Sequence, residues 1–287
     1  MKFKHPPREL FAATVILAYL AAPASRAQTA INYGSLGAAG NGTYGSGATV
    51  ISGGGPLAAA GDQYVSYADG LAGTLVPFSS TLNPQGPFTV ELWVKPNTVP
   101  NSAGTPCPIS SAQFNSDRSG WQIRERDTGY QFVLYNHAGS GTAANILGGG
   151  VPSTSGWTYL AGVYDGTTAS LYVNGALAIS ASAAGFLAND NAGGNGPLTV
   201  GYRSSLDNFF NGSADEVAIY GAALTSGQIS AHYAAAASLT PGDYSSAILA
   251  DNPLEFLPTQ TVPEPSAVAL ISLGLIGMLG RHIRRRN

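Results

Sequence analysis

Charge is scarce in this chain. Asp, Glu, Lys and Arg make up 10% of its 287 residues, against roughly a quarter in an average soluble domain. Cysteine occurs once, at Cys107, which excludes an internal disulfide framework and any paired-cysteine zinc site. No E-x-D-x-x-E carboxylate spacing and no G-x-S-x-G elbow is present, so the usual signatures of glucanases and serine hydrolases are lacking. Positive charge is thinnest in the middle. Between residues 29 and 262 there are five cations (Lys95, Arg118, Arg124, Arg126 and Arg203) against 14 acids, a net charge of −9. Five cations scattered through an acidic segment would repel a phosphate backbone, which argues against nucleic acid as a partner. The chain is nonetheless 44% hydrophobic with 37 glycines and 18 prolines, too apolar for ordinary disorder. Its length allows one large or two small domains.

The remaining cations sit at the two ends. Residues 1–27 read as a secretory signal: Lys2, Lys4 and Arg8, an apolar run Leu10–Ala22, then Ser25-Arg26-Ala27, with cleavage after Ala27. Thirteen apolar residues make a helix of about 20 Å, too short to span a bilayer. At the other end, Val262-Pro263-Glu264-Pro265 precedes an apolar run, Ala267–Gly280, and a cluster of Arg281, Arg284, Arg285 and Arg286. Residues 262–287 resemble the PEP-CTERM sorting signal of exopolysaccharide-producing bacteria. The resemblance implies handling by an exosortase, with cleavage near the motif; a plain apolar tail anchor is the alternative. The arginines would stay cytoplasmic, leaving everything before Val262 outside.

Between the ends, short β-prone runs recur, separated by glycine, asparagine, proline and serine. Nine candidate strands are legible: 63–67, 88–95, 121–126, 130–135, 157–164, 169–173, 176–181, 198–202 and 214–220. This spacing predicts an antiparallel sandwich or barrel. In 88–95, Phe88, Val90, Leu92 and Val94 share one face, and Thr89, Glu91, Trp93 and Lys95 the other. Asn174-Gly175 predicts a type I′ hairpin turn. One helix is predicted, capped by Thr225 or Ser226 and running to about Ala236, with Ile229 and Tyr233 as its anchors.

The segments GPFTVELWVKP (86–96), GWTYLAGVYDGTTASLYVNGALA (156–178), PLTVGY (197–202) and FFNGSADEVAIYGAALTSGQISAHYAA (209–235) resemble the laminin-G-like, concanavalin-A-like jelly-roll domain of bacterial surface proteins. The fold expected is therefore all-β, a two-sheet antiparallel jelly-roll sandwich with one short C-terminal helix. The signal peptide (1–27) precedes it and the apolar sorting helix follows it. The domain is placed at 28–236, a linker at 237–261 and the sorting segment at 262–287. Residues 244–257 resemble the opening of a second such domain and read either as a remnant in the linker or as a capping strand.

Chemistry is sparse. Glu91 stands alone in its strand, and Asp215 and Glu216 are neighbours that alternation would point to opposite faces. Glu125 and Asp127 have matching parity but are flanked by Arg124 and Arg126, which reads as a solvated charged edge. His137 and His232 have no evident partner, and Cys107 has no adjacent positive group to activate it. Relatives of the resembled domain hold calcium at the sandwich rim through aspartates and loop carbonyls, which makes Asp62, Asp190 and Asp215 the candidate ligands. The simpler reading makes Asp215 a turn cap or a partner of Arg203, and Asp190 a solvated loop acid. Phe209, Phe210, Tyr202 and Tyr135 offer aromatic faces to sugars, whereas Trp93, Trp121 and Trp157 read as sandwich core. The function expected is that of an exported, non-catalytic envelope or matrix protein binding glycan or exopolysaccharide. A structural surface protein without a small ligand and a degenerate glycosidase are the alternatives.

Overall fold

The computed structural model describes residues 28–101, 104–114, 118–136, 143–194, 196–203 and 205–260. The signal peptide, His137 and the sorting segment with its four arginines lie outside the described residues. The chain opens with β1 (Thr29–Ala30), β2 (Gly42–Tyr44), β3 (Ala48–Ser52), β4 (Gln63–Tyr67) and β5 (Thr74–Val76). The longer strands follow: β6 (Phe88–Pro96), β7 (Ile109–Phe114), β8 (Arg118–Arg126), β9 (Gly129–Tyr135) and β10 (Ala143–Gly149). Then come β11 (Thr158–Tyr164), β12 (Thr168–Val173), β13 (Ala176–Ser182), β14 (Leu198–Val200) and β15 (Gly212–Tyr220). The described chain closes with α1 (Ser226–Ala235), α2 (Asp243–Ala250) and β16 (Glu255–Leu257).

The strands form two eight-stranded antiparallel sheets. One runs β1-β2-β5-β14-β7-β8-β9-β10; the other runs β13-β12-β11-β6-β15-β4-β3, with β16 added on β15. All nine expected strands are present. Of the seven others, β1, β2, β5 and β16 are only two or three residues long, and β7 is serine-rich, as in Ile109-Ser110-Ser111-Ala112-Gln113-Phe114.

Alternation builds the main core between the sheets. Phe88, Val90, Leu92 and Val94 of β6 pack inward with Trp121 and Ile123 of β8 and Phe132 and Leu134 of β9. The opposite face of β6 is buried as well, in a second core beneath the helices. There Trp93 packs with Tyr159, Tyr220, Ile229, Tyr244, Ile248 and Phe256. Trp121 and Trp93 are thus core residues of different layers. Trp157 is only half-buried, donating from Nε1 to the Gly54 carbonyl at 3.0 Å. The Asn174-Gly175 turn has φ of 50° and 78°, the positive pair that type I′ requires.

Thr225 caps α1 in a full capping box with Gln228, which satisfies two backbone donors at once. Ile229 anchors the helix below, and Tyr233 stacks on Trp93 at 5.6 Å between centroids.

One helix count and one boundary are corrected. There are two helices, and the segment expected as a linker is part of the domain. Residues Glu255, Phe256 and Leu257 pair with Ile219, Ala218 and Val217 of β15. Tyr244 and Ile248 of α2 insert into the second core. The capping-strand reading therefore holds for Glu255–Leu257, while most of the rest of 244–257 belongs to α2. The physical reason is area: without this segment the outer face of β15 would leave Tyr220 and Ala218 uncovered. Residues 28–260 thus contain both sheets and both cores. Phe256→Ala should cost about 3–5 kcal/mol, as removal of a fully buried phenylalanine does, measured by urea unfolding of residues 28–260. An unchanged midpoint would return this segment to the status of linker.

Candidate functional site

The carboxylates of Asp62, Asp215 and Glu216 converge, with one oxygen from each lying within 4.8 Å of the others. Adjacent strand residues normally face opposite ways, and the expectation that Asp215 and Glu216 would do so is wrong. The pairing of β15 with β6 slips between Asp215, opposite Trp93, and Ala218, opposite Glu91. Three steps along β15 match two along β6, which is a β-bulge. Glu216 takes φ of 54°, a left-handed conformation uncommon for residues other than glycine. The bulge brings the two acids together, and the turn before β4 delivers Asp62. Gly55 lets the chain pass close by, since a Cβ there would collide with the Asp62 carboxylate.

All three acids are buried. Each has one oxygen engaged and one without a partner. Asp62 Oδ2 accepts from the Leu57 amide at 2.8 Å, Asp215 Oδ1 from Thr259 Oγ1 at 2.7 Å, and Glu216 Oε1 from Gln260 Nε2 at 3.1 Å. Asp62 Oδ1, Asp215 Oδ2 and Glu216 Oε2 are buried without a hydrogen bond. Burial, opposed by the Leu57 and Gln63 amides, pushes Asp62 up to about 6. Burial and then the charges of their neighbours push Asp215 and Glu216 well above the carboxylate range. Three unpaired anions at this spacing are costly in a low-dielectric site, so the cluster requires either protons or a cation. Oxygen-only donors carrying up to three negative charges suit a hard divalent ion such as calcium.

Two of the three acids expected as calcium ligands, Asp62 and Asp215, are therefore brought together. The third is not: Asp190 is exposed and accepts from the Ala192 amide in its own loop. Asp215 does not pair with Arg203, which engages Asp207.

Residues Pro258–Gln260 form a strap over the acids and also one wall of an open cleft of about 410 Å³. Tyr33, Tyr44, Gln28 and Gln63 line the rest of it.

A second polar group sits beneath the helices. Glu91 is fully buried and accepts from the Tyr159 hydroxyl at 2.6 Å and the Tyr220 hydroxyl at 2.9 Å. His232 is not without partners: Nδ1 lies 3.1 Å from Glu91 Oε2, and Nε2 lies 3.0 Å from Asp251 Oδ2. Burial alone would lower the imidazole, but the two carboxylates outweigh it and raise it. This network ties both helices to β6. Glu91 and His232 at its centre are buried, and only Asp251 reaches solvent, which suits a structural role.

Glu125 and Asp127 do not form a solvated edge pair. Asp127 is exposed, while Glu125 points between the sheets, where burial pushes it up to about 8. Cys107 is fully buried, and the same cause pushes its thiol up to about 12, leaving it unreactive.

Fold and acid cluster together describe a two-layer lectin-type sandwich with a buried oxygen cage at its rim. Residues 59–230 match the concanavalin A-like lectin/glucanases superfamily, and the chain belongs to that family. Residues 261–286 match the PEP-CTERM protein-sorting motif, a signal associated with exosortase-dependent export to the cell surface. No curated protein matches the chain. Among solved structures, the binding domain of Paraclostridial mosquitocidal protein 1 is similar at 16% identity and a TM-score of 0.52, covering 71% of this chain and 51% of that one. Trypanosoma rangeli sialidase in complex with the inhibitor DANA is similar at 11% identity and a TM-score of 0.50, covering 69% of this chain and 30% of that one. The chain thus spans about half and under a third of these two proteins. At these identities the likeness is one of fold.

Glu125 gives a test that touches both stability and catalysis. Its folded pKa lies above the ordinary value of about 4.3. Its contribution to stability is therefore complete below pH 4 and is lost as pH climbs through about 8. The urea midpoint of the wild type should fall between pH 5 and 9, and Glu125→Gln should flatten that decline. Hydrolysis of a polysaccharide panel that vanished in the same variant would instead make Glu125 a catalytic acid.

Proposed function

We propose that this chain is an exported, non-catalytic carbohydrate-binding domain that acts in the cell envelope or surrounding matrix, with calcium held by Asp62, Asp215 and Glu216. The observation that carries this reading is the placement of an aromatic and amide-lined cleft directly over three buried carboxylates. Tyrosine faces stack on sugar rings, and glutamine amides both donate to and accept from hydroxyls. Thr259 and Gln260 belong to both features, so ordering the acids also orders a wall of the cleft. A bound divalent ion would supply charge neutralisation, and the chain's own part is to hold the bulge, the turn before β4 and the strap in register.

Burial supports binding over hydrolysis. A glycosidase acid must touch the glycosidic oxygen, yet Glu91, Glu125, Glu216 and Glu255 are all buried. Among the described residues the exposed Asp69, Asp127, Asp165, Asp190 and Asp243 lie on five separate segments of the chain. A structural role without a small ligand has one observation in its favour. The edge strand β13 is exposed along its whole length and carries no charge, the kind of edge that pairs with other chains.

Residues 28–260 should bind members of a glycan array, and EDTA should weaken that binding. Absence of any glycan signal, with or without calcium, would favour the structural reading. Calcium at about 100 times its Kd stabilises by about 2.7 kcal/mol. For a domain of this size that should raise the melting temperature by roughly 5–10 °C over EDTA-treated protein. Asp215→Asn should remove most of the shift. A melt insensitive to both calcium and EDTA would rule out the ion.

A further inference from the structure

Four of the five cations between residues 29 and 262 gather on one surface. On β8, Trp121 and Ile123 point into the main core, so Arg118, Arg124 and Arg126 share the outer face of the first sheet. Arg203, from the loop after β14, joins them: its guanidinium lies 4.2 Å from the centre of the Phe114 ring, and that of Arg118 lies 5.5 Å from the same ring. Phe114 packs edge-on against Tyr135. The reading of scattered cations holds along the chain and fails in space, because strand alternation and one loop collect them.

We propose that this face is a binding surface for an anionic polysaccharide, with the arginines recognising uronate carboxylates along the polymer. The proposal rests on the carbohydrate-binding reading and gives that reading a ligand class and a second surface, distinct from the cleft over Asp62, Asp215 and Glu216.

Charge complementarity carries the argument. Like charges repel and cost folding free energy, yet an otherwise acidic domain concentrates its positive charge here. Among the described residues, Asp207 engages Arg203 and also lies near enough to Arg118 to feel its charge. Gln131 Oε1 accepts from Arg124 Nε at 2.9 Å, fixing the plane of a half-buried guanidinium. A guanidinium held in plane presents paired donors that match a carboxylate, which a mobile ammonium does not. The ring of Phe114 carries the guanidiniums of Arg203 and Arg118 against it, which holds two of the cations side by side on this face. Four cations on a domain of net charge −9 fit a polymer with spaced charges better than a continuous phosphodiester.

The test is affinity electrophoresis of residues 28–260 through gels containing alginate or polygalacturonate, dextran sulfate, neutral dextran, or DNA, at low and high salt. Wild-type protein should be retarded by the uronate polymers, and high salt should release it. Arg118→Gln with Arg124→Gln should weaken retardation by tenfold or more, and Arg124→Lys should recover only part of it, since charge returns without the fork. A thermal melt matching wild type excludes misfolding as the cause. Uronate retardation that persists in the double variant but disappears in Tyr33→Ala would overturn the proposal and leave carbohydrate binding at the cleft standing. Equal retardation by dextran sulfate or DNA would overturn it in favour of a nonspecific cationic face. No retardation by any uronate polymer would also overturn it, and a glycan-array signal on the same protein would show that the broader reading survives.

Discussion

The antiparallel pairing of β6 with β15 is the constraint on which the rest depends. One face of β6 supplies Phe88, Val90, Leu92 and Val94 to the core between the sheets. The other supplies Glu91 and Trp93 to the layer under the helices. A strand buried on both faces must satisfy every polar group it carries. Glu91 does so with two tyrosine hydroxyls and His232. The one irregularity in this pairing, the extra residue at Glu216, gathers the carboxylates at the rim.

Buried carboxylates recur in this domain, and their surroundings separate their roles. Glu91 is enclosed by donors and acts as a rivet between β6 and the helices. Glu125 and Glu255 have burial as the cause that raises them, each to about 8. Asp62, Asp215 and Glu216 differ because three of them share one site, each with a free oxygen. Mutual proximity, rather than burial alone, makes that site suited to an ion.

The strap Pro258–Gln260 links this site to the end of the described chain. It covers the acids, walls the cleft and stands immediately before the matched sorting motif at 261–286. Its hydrogen bonds to Asp215 and Glu216 explain why the domain extends past α1: the fold is completed only by residues adjacent to the sorting signal.

Much was legible along the chain because it depends on near neighbours. Period-two alternation marked the long strands, Asn174-Gly175 marked a hairpin, and Thr225 or Ser226 marked the start of α1, which the structure resolves to Thr225 with Gln228. Asp62 and Asp215 were legible as candidate ligands through family resemblance, whereas Glu216 was hidden, because alternation held only until the bulge broke it. His232 looked solitary because Glu91 lies 141 positions away. The arginines looked dispersed because only sheet pairing and a returning loop place Arg203 over Phe114. The sequence by itself determined the sandwich, its turns and its sorting signal, since hydrophobic period, turn chemistry and motif order are local properties. Only the tertiary structure decided which acids converge and which cations share a face, because both follow from strand register, a cooperative property of distant segments.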